Sequence, residues 1–212
     1  MKQVTALRSG GGRRKRVSVY LDGKFAFSLE AEVVLTERLK VGQALTSEQI
    51  RALARADNFH RCLNAAMHYL SYRPRSEFEL RERLGQRGFD GDSVEKVLAR
   101  LKERGLVNDT EFAQFWQDNR QAFSPRSSSL TRLELRRKGV AEEIIGQVVS
   151  PVSDGESAYR AALGKARRLP VSDYQSFRRR LGGYLRRRGF SYGVINNTVE
   201  QLWQEMRESN PG

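Results

Sequence analysis

Two runs of alternating apolar and polar residues stand near the start of the chain. Val17, Val19 and Leu21 alternate with Ser18, Tyr20 and Asp22. After Gly23, Phe25, Phe27 and Leu29 alternate with Lys24, Ala26 and Ser28. Period-2 patterning marks half-buried strands, and Asp-Gly between two such runs predicts a hairpin, because both turn positions favour positive φ. A lone hairpin is marginal, so its apolar face needs cover. The stretch Glu30–Leu39, carrying Val33, Val34 and Leu39, is the predicted helical cover. A second helix is predicted from Thr46, where Gln49 stands at capping-box spacing ahead of Ile50 and Leu53. This gives a small ββαα module over residues 13–57, with Phe25 and Phe27 expected in its core rather than as a base-stacking platform.

From residue 58 the pattern changes to apolar steps of three and four, which is helical. A repeat runs through it. Leu84-Gly-Gln-Arg-Gly-Phe89, Leu135-Arg-Arg-Lys-Gly-Val140 and Leu185-Arg-Arg-Arg-Gly-Phe190 share Leu-x-x-basic-Gly-apolar. Downstream, Val94, Ile145 and Ile195 stand in register, as do Leu98, Val149 and Val199, then Leu101, Val152 and Leu202. The junction has a physical reading. A basic residue in the last turn suits the negative end of the helix dipole. The glycine then takes the left-handed conformation that stops the helix, and the next apolar residue returns the chain to the core.

Each unit therefore holds three helices. The first are predicted over 58–72, 110–123 and 154–168, each followed by a proline (Pro74, Pro125, Pro170). The second are predicted over 76–87, 128–138 and 173–188, and the third over 92–104, 141–150 and 191–207. The expected fold is mainly α: an elongated tandem array of three three-helix repeats, preceded by the hairpin module. The expected divisions are 1–57, 58–107, 108–153 and 154–212.

Composition narrows the function. The 212 residues are 39% hydrophobic with 18 glycines, enough for packed cores. The formal net charge of +13 attracts polyanions such as nucleic acid, acidic protein or anionic lipid. One cysteine, Cys62, excludes an internal disulfide and Cys-based zinc sites, and points to a reducing compartment. The two histidines, His60 and His68, share no clean helical face. No catalytic constellation, metal site or cofactor is expected. Asp90 and Asp92 read as helix-start acids, and Ser127-Ser128-Ser129 as a helix cap. No apolar run suits a membrane span or a signal peptide, so a cytoplasmic monomer is expected.

Candidate contact residues are all basic or glycine. The third unit is the most cationic, and on its second helix Arg178, Arg179, Arg180, Arg186 and Arg187 occupy the arc opposite Phe177, Leu181, Tyr184 and Leu185. Arg188 alone falls within the apolar arc. Gly182 and Gly183 lie among the arginines, where each costs about 1 kcal/mol of helix stability against alanine. Bare backbone there would let a phosphate chain or acidic surface approach. Arg73, Arg75, Arg120 and Arg126 flank the first-helix ends, where they either extend a basic strip or cap helix carbonyls. Residues 8–16 read as a loose arm whose Arg13, Arg14, Lys15 and Arg16 either contact phosphates or form a solvated lead-in. Trp116, beside Phe112, is expected in the core.

These residues resemble the RecX family of regulatory proteins. The likeness is carried by Ala66–Arg73, by Ser76-x-x-Glu79-Leu80 with Leu84-x-x-Arg-Gly-Phe89, and by Leu101-x-x-x-Gly105-Leu106-x-x-Asp109-x-x-Phe112-Ala113-x-x-Trp116-x-x-x-Arg120. Leu133-Glu134-Leu135-x-x-Lys138-Gly139-Val140 continues it. It covers residues 58–150 and, less closely, 151–207, and the hairpin module is similar to an amino-terminal extension of some members. The resemblance implies a non-enzymatic partner of the RecA recombinase. Such proteins lodge in the groove of the RecA–DNA filament or block its growth, and lower its ATP hydrolysis, strand exchange and co-protease activity. Some also bind DNA. The charge alone equally allows a sequence-independent DNA-binding protein, acting on single- or double-stranded DNA without RecA.

Overall fold

The computed structural model describes residues 1–10, 16–149 and 154–208. Backbone contacts divide the chain into two compact units: Met1–Arg75 with Glu79–Val107, and Ser76–Phe78 with Asn108–Gly212.

The first unit opens with a four-stranded antiparallel sheet in the order β3-β2-β1-β4. Its strands are β1 (Lys2–Ser9), β2 (Arg16–Leu21), β3 (Lys24–Glu30) and β4 (Ala44–Leu45). The predicted turn forms, with Asp22 at φ 49° and Gly23 at φ 79°. Strands β1 and β4 were not expected. Arg8 and Ser9 are strand residues paired with Ser18 and Val17, and Arg16 opens β2, so these parts of the loose arm foreseen over 8–16 belong to the sheet; the Gly10 amide donates to the Arg16 carbonyl.

A register shift corrects the expectation for Phe25. Val19 pairs with Phe27 but Tyr20 with Phe25, so Ala26 is the extra residue of a bulge. Strict alternation would place Phe25 and Phe27 on one face; the bulge puts Phe25 on the Tyr20 face instead. Phe25 is 59% exposed and meets Tyr20 edge-on, while Phe27 packs at the margin of the core. That core is Val4, Val19, Leu21, Leu29, Val33, Leu39, Leu45 and Leu53. It is covered by α1 (Ala31–Thr36) and the start of α2 (Ser47–Leu70). The Thr46–Gln49 capping box forms in both directions.

The helix expected from Thr46 and the one expected from Asn58 are a single helix, which begins at Ser47 and runs through without a break. Asp57, at the expected boundary, lies inside the helix, where its carboxylate accepts the Glu30 amide (2.7 Å) and Arg16 (3.2 Å) from the sheet. One helix thus serves both the sheet and the first three-helix core. With α3 (Glu77–Gln86) and α4 (Gly91–Glu103), it encloses Cys62, Ala66, Leu80, Leu84, Val94 and Leu98.

The second unit carries two more three-helix cores. Phe112, Ala113, Leu135 and Ile145 join α5 (Asp109–Phe123), α6 (Ser128–Arg137) and α7 (Glu142–Val148). Ala162, Phe177, Leu181, Leu185, Val199 and Leu202 join α8 (Asp154–Ala166), α9 (Tyr174–Arg186) and α10 (Tyr192–Glu208). The repeated glycine stops are left-handed, at φ 87°, 75° and 84° for Gly88, Gly139 and Gly189. At each, the next amide bonds back to the leucine five residues earlier: Phe89 to Leu84, Val140 to Leu135, Phe190 to Leu185. Each glycine amide also bonds three residues back, which completes a Schellman motif.

The same junction occurs twice within this unit. Ser76 Oγ donates to the Lys138 carbonyl (2.6 Å), Phe78 lies against Gly139, and the Glu77 amide donates to Asp109 (2.9 Å). Correspondingly, the Ser127 amide donates to the Arg188 carbonyl (3.0 Å), Leu130 lies against Gly189, and the Ser128 amide donates to Asp154 (2.9 Å).

Candidate functional site

The arginine row on α9 is built as its periodicity implies. Phe177, Leu181 and Leu185 are buried, while Arg179, Arg180, Arg186 and Arg187 are exposed on the other side. The helix starts on Asp173, whose carboxylate accepts the Gln175 and Ser176 amides at 3.0 and 3.1 Å. It stops at Gly189.

Between α9 and the start of α10 lies an open cleft of about 420 Å³. Gly182 and Gly183 form part of its wall, with Arg178, Arg179 and Arg186 around them and Tyr192 and Asn196 opposite. A methyl group on Gly182 would sit 3.5 Å from Ile195, an ordinary contact. The glycines are therefore not demanded by packing. Arg178 is held in place: its Nη2 donates to Tyr192 Oη (3.0 Å) and reaches Asn196 Oδ1 (3.4 Å). The Asn196 hydrogen bond and the Arg178 charge hold the Tyr192 phenol below its usual pKa. A fixed guanidinium beside exposed ones suits an anionic chain or surface. Tyr192 and Asn196 were not singled out in the sequence. Their signal is weak, because they face Arg178 only once the Gly189 stop has turned α10 back along α9.

The remaining candidates are engaged within the fold. Arg73 forms a paired bridge to Glu79 at 2.9 and 3.0 Å. Arg75 is buried, donates to the Tyr69 carbonyl at the end of α2 (3.2 Å), and lies over the Tyr69 ring. Burial, followed by the Arg73 and Arg83 charges, lowers its pKa. Arg120 Nε (2.7 Å) and Arg126 both bond Glu134, which also accepts Trp116 Nε1 (2.9 Å). Trp116 is only partly buried, and Arg120 and Lys138 lie over its ring, 4.5 and 4.1 Å from the centroid. Arg16 bonds Asp57 and the Ser28 carbonyl. Arg13, Arg14 and Lys15 lie outside the described residues.

Asp90 caps α4 by accepting the Ser93 amide (2.9 Å), and Ser127 caps α6 through the Leu130 amide (3.1 Å). Among the described residues no group of three His, Cys, Asp or Glu side chains could hold a metal, and no helix is long and apolar enough to cross a membrane.

Four family models match in succession. The RecX N-terminal domain covers residues 2–46, and the first, second and third RecX three-helix domains cover 62–101, 108–149 and 154–199. Regulatory protein RecX of Clostridium botulinum (strain Eklund 17B / Type B) is 28% identical over 207 residues, spanning 95% of this chain and 96% of that protein. Its namesake from Bacillus pumilus (strain SAFR-032) is 26% identical over 98% of this chain and 80% of its own. A crystal structure of regulatory protein RecX superimposes with a TM-score of 0.68 at 26% identity, covering 94% of this chain and all of that one. With matched domains in order from the sheet to the third repeat, the chain belongs to the RecX family of regulatory proteins.

Proposed function

We propose that this protein binds RecA–DNA filaments and restrains them, lowering ATP hydrolysis, strand exchange and co-protease activity. It does so by lodging in the filament groove or by blocking filament extension, as a cytoplasmic monomer without catalytic chemistry of its own. The observation that carries this reading is the exposed row Arg179, Arg180, Arg186 and Arg187, two of which line a cleft with Gly182 and Gly183 in its wall, in a chain of the RecX family. A body that binds one filament state preferentially shifts the population toward it, and inhibition needs nothing more.

The test is single-stranded-DNA-dependent ATP hydrolysis by RecA, with this protein at substoichiometric amounts. A DNA-binding titration without RecA runs beside it. Loss of hydrolysis before the DNA is occupied supports a filament regulator. Loss only at DNA saturation supports the second reading, a sequence-independent DNA-binding protein, which the same arginine row favours through its charge. Changing Arg179, Arg186 and Arg187 to Gln should weaken the effect with helicity intact.

A further inference from the structure

A second cleft, of about 660 Å³, opens on the opposite side of α9 from the arginine row. It is formed by the end of α5, one face of α8 and the last turn of α9. Arg160 and Gly164 stand four residues apart on α8 and so share a face, and Arg168 lies just past the end of the helix. Lys165 and Arg188 complete a set of four cations, and no carboxylate lines the cleft among the described residues. A neutralising acid within the wall would be expected of a purely structural basic cluster.

The aromatic content gives the second argument. Phe123, the last residue of α5, is 83% exposed at the cleft edge. Tyr184 is a wall residue whose ring is already used: Arg188 lies 4.5 Å and Lys165 5.8 Å from its centroid. Arg188 is further fixed by donating to Ser124 Oγ (3.0 Å) and the Pro125 carbonyl (3.1 Å). This explains why Arg188, just past the end of α9, falls within the apolar arc: it is aimed across to the end of α5. Gly164 leaves bare backbone on the cleft face, where an added methyl group would meet nothing within 4 Å.

We propose that this cleft binds a segment of single-stranded nucleic acid. Its phosphates lie along Arg160, Lys165 and Arg168, and one unpaired base stacks on Phe123. Several cations with an open ring beside them are the recurring solution for strands whose bases are free to stack. A volume of this size falls in the range of small-ligand sites, so it suits one or two nucleotides and not a duplex. The site stands apart from the filament reading, since it requires no RecA.

The test is fluorescence anisotropy of a labelled oligo(dT) with the full chain alone, beside an abasic strand of equal length. Phe123→Ala should weaken oligo(dT) binding by about tenfold and leave the abasic strand unchanged. Arg160→Gln with Arg168→Gln should weaken both strands and lower the log-affinity against log-salt slope by about 1.4. All three side chains are exposed, and circular dichroism checks that each variant is folded. The proposal is overturned if oligo(dT) does not bind at low salt, if the variants bind as the parent does, or if Phe123→Ala weakens both strands equally. Variants that keep oligo(dT) affinity but lose the effect on RecA would make the cleft a seat for acidic protein, which also overturns it. Loss of filament inhibition with oligo(dT) binding intact in the α9 arginine variants bears on the filament reading alone.

Discussion

Gly189 faces Leu130 so closely that a methyl group on its Cα would lie 2.7 Å from the Leu130 Cβ and 2.6 Å from Ser127 Oγ. Gly139 stands in the same relation to Phe78, with the Phe78 Cγ 2.7 Å from the methyl position. Gly88 has the same left-handed backbone but open space around it. Two effects can thus be separated. Gly88→Ala should cost the conformational term alone, about 1–2 kcal/mol. Gly139→Ala and Gly189→Ala should add an overpacking term of about 1–3 kcal/mol. Denaturant unfolding of the three variants measures the difference, and equal losses would sink the junction as described.

Glu134 gathers three donors, Trp116 Nε1, Arg120 and Arg126. Glu134→Gln keeps the shape but removes the charge, and it should destabilise the second repeat by about 1–2 kcal/mol. The Trp116 contribution to fluorescence should change because its hydrogen-bond partner and the neighbouring guanidiniums are released. Trp203 lies in a different core and serves as the unchanged reference, isolated by Trp116→Phe. Full retention of stability in Glu134→Gln would mean the cluster is held by packing alone.

Asp57 ties the sheet to α2 by accepting the Glu30 amide and Arg16. Asp57→Ala leaves a part-buried amide and a guanidinium without this partner and should cost about 2 kcal/mol. Hydrogen exchange should report the loss at Glu30 and the strands first, with the α9 amides unaffected.

Burial, and secondly the Asp90 charge, push the Cys62 thiol up to about 11 from 9.0. The folded state disfavours the thiolate, so this group's contribution to stability is present below pH 9 and is lost as pH rises toward about 11. In the folded protein at pH 8, alkylation should be at least about 100-fold slower than in the unfolded chain. Rapid modification of the native protein would show that α2 opens readily.

The Ser93 amide, then the Ser93 hydroxyl, hold the Asp90 carboxyl below its usual value of 3.8. A lowered carboxyl stabilises the fold above that value, and the gain disappears as pH falls through the lower folded-state value. The stability gap between the parent and Asp90→Asn should therefore be constant near neutral pH and close below about pH 4. A gap independent of pH would assign the cap to the neutral hydrogen bonds.

The helical repeats were legible because their signals are local. A left-handed glycine, a capping side chain and an apolar face each act within one turn or two, and the second helices fall within a residue or two of the expected bounds. What escaped depends on distant partners. Strand β1 buries only Val4, so its alternation is faint until β2 and β4 flank it. The break expected before Asn58 failed because Asp57 answers to Arg16, 41 residues earlier. The arginine row was readable on a wheel, but Tyr192 and Asn196 join it only through the turn at Gly189. The α5–α8–α9 cleft draws Phe123, Arg160 and Arg188 from three separate helices, and no short window of sequence holds them together.

The paired junctions give the chain a direction. The start of α3 borrows Asp109 from α5, and the start of α6 borrows Asp154 from α8, so each helix in turn is completed by a residue that follows it. The start of α9 is capped from within the same repeat, by Asp173. At Gly88, by contrast, an added methyl group would meet nothing within 4 Å among the described residues. A plug-and-socket contact of this kind could in principle be extended without end, as heterologous contacts are in filaments. The second repeat carries both halves of it on one helix, the socket Gly139 just past the end of α6 and the plug at its start.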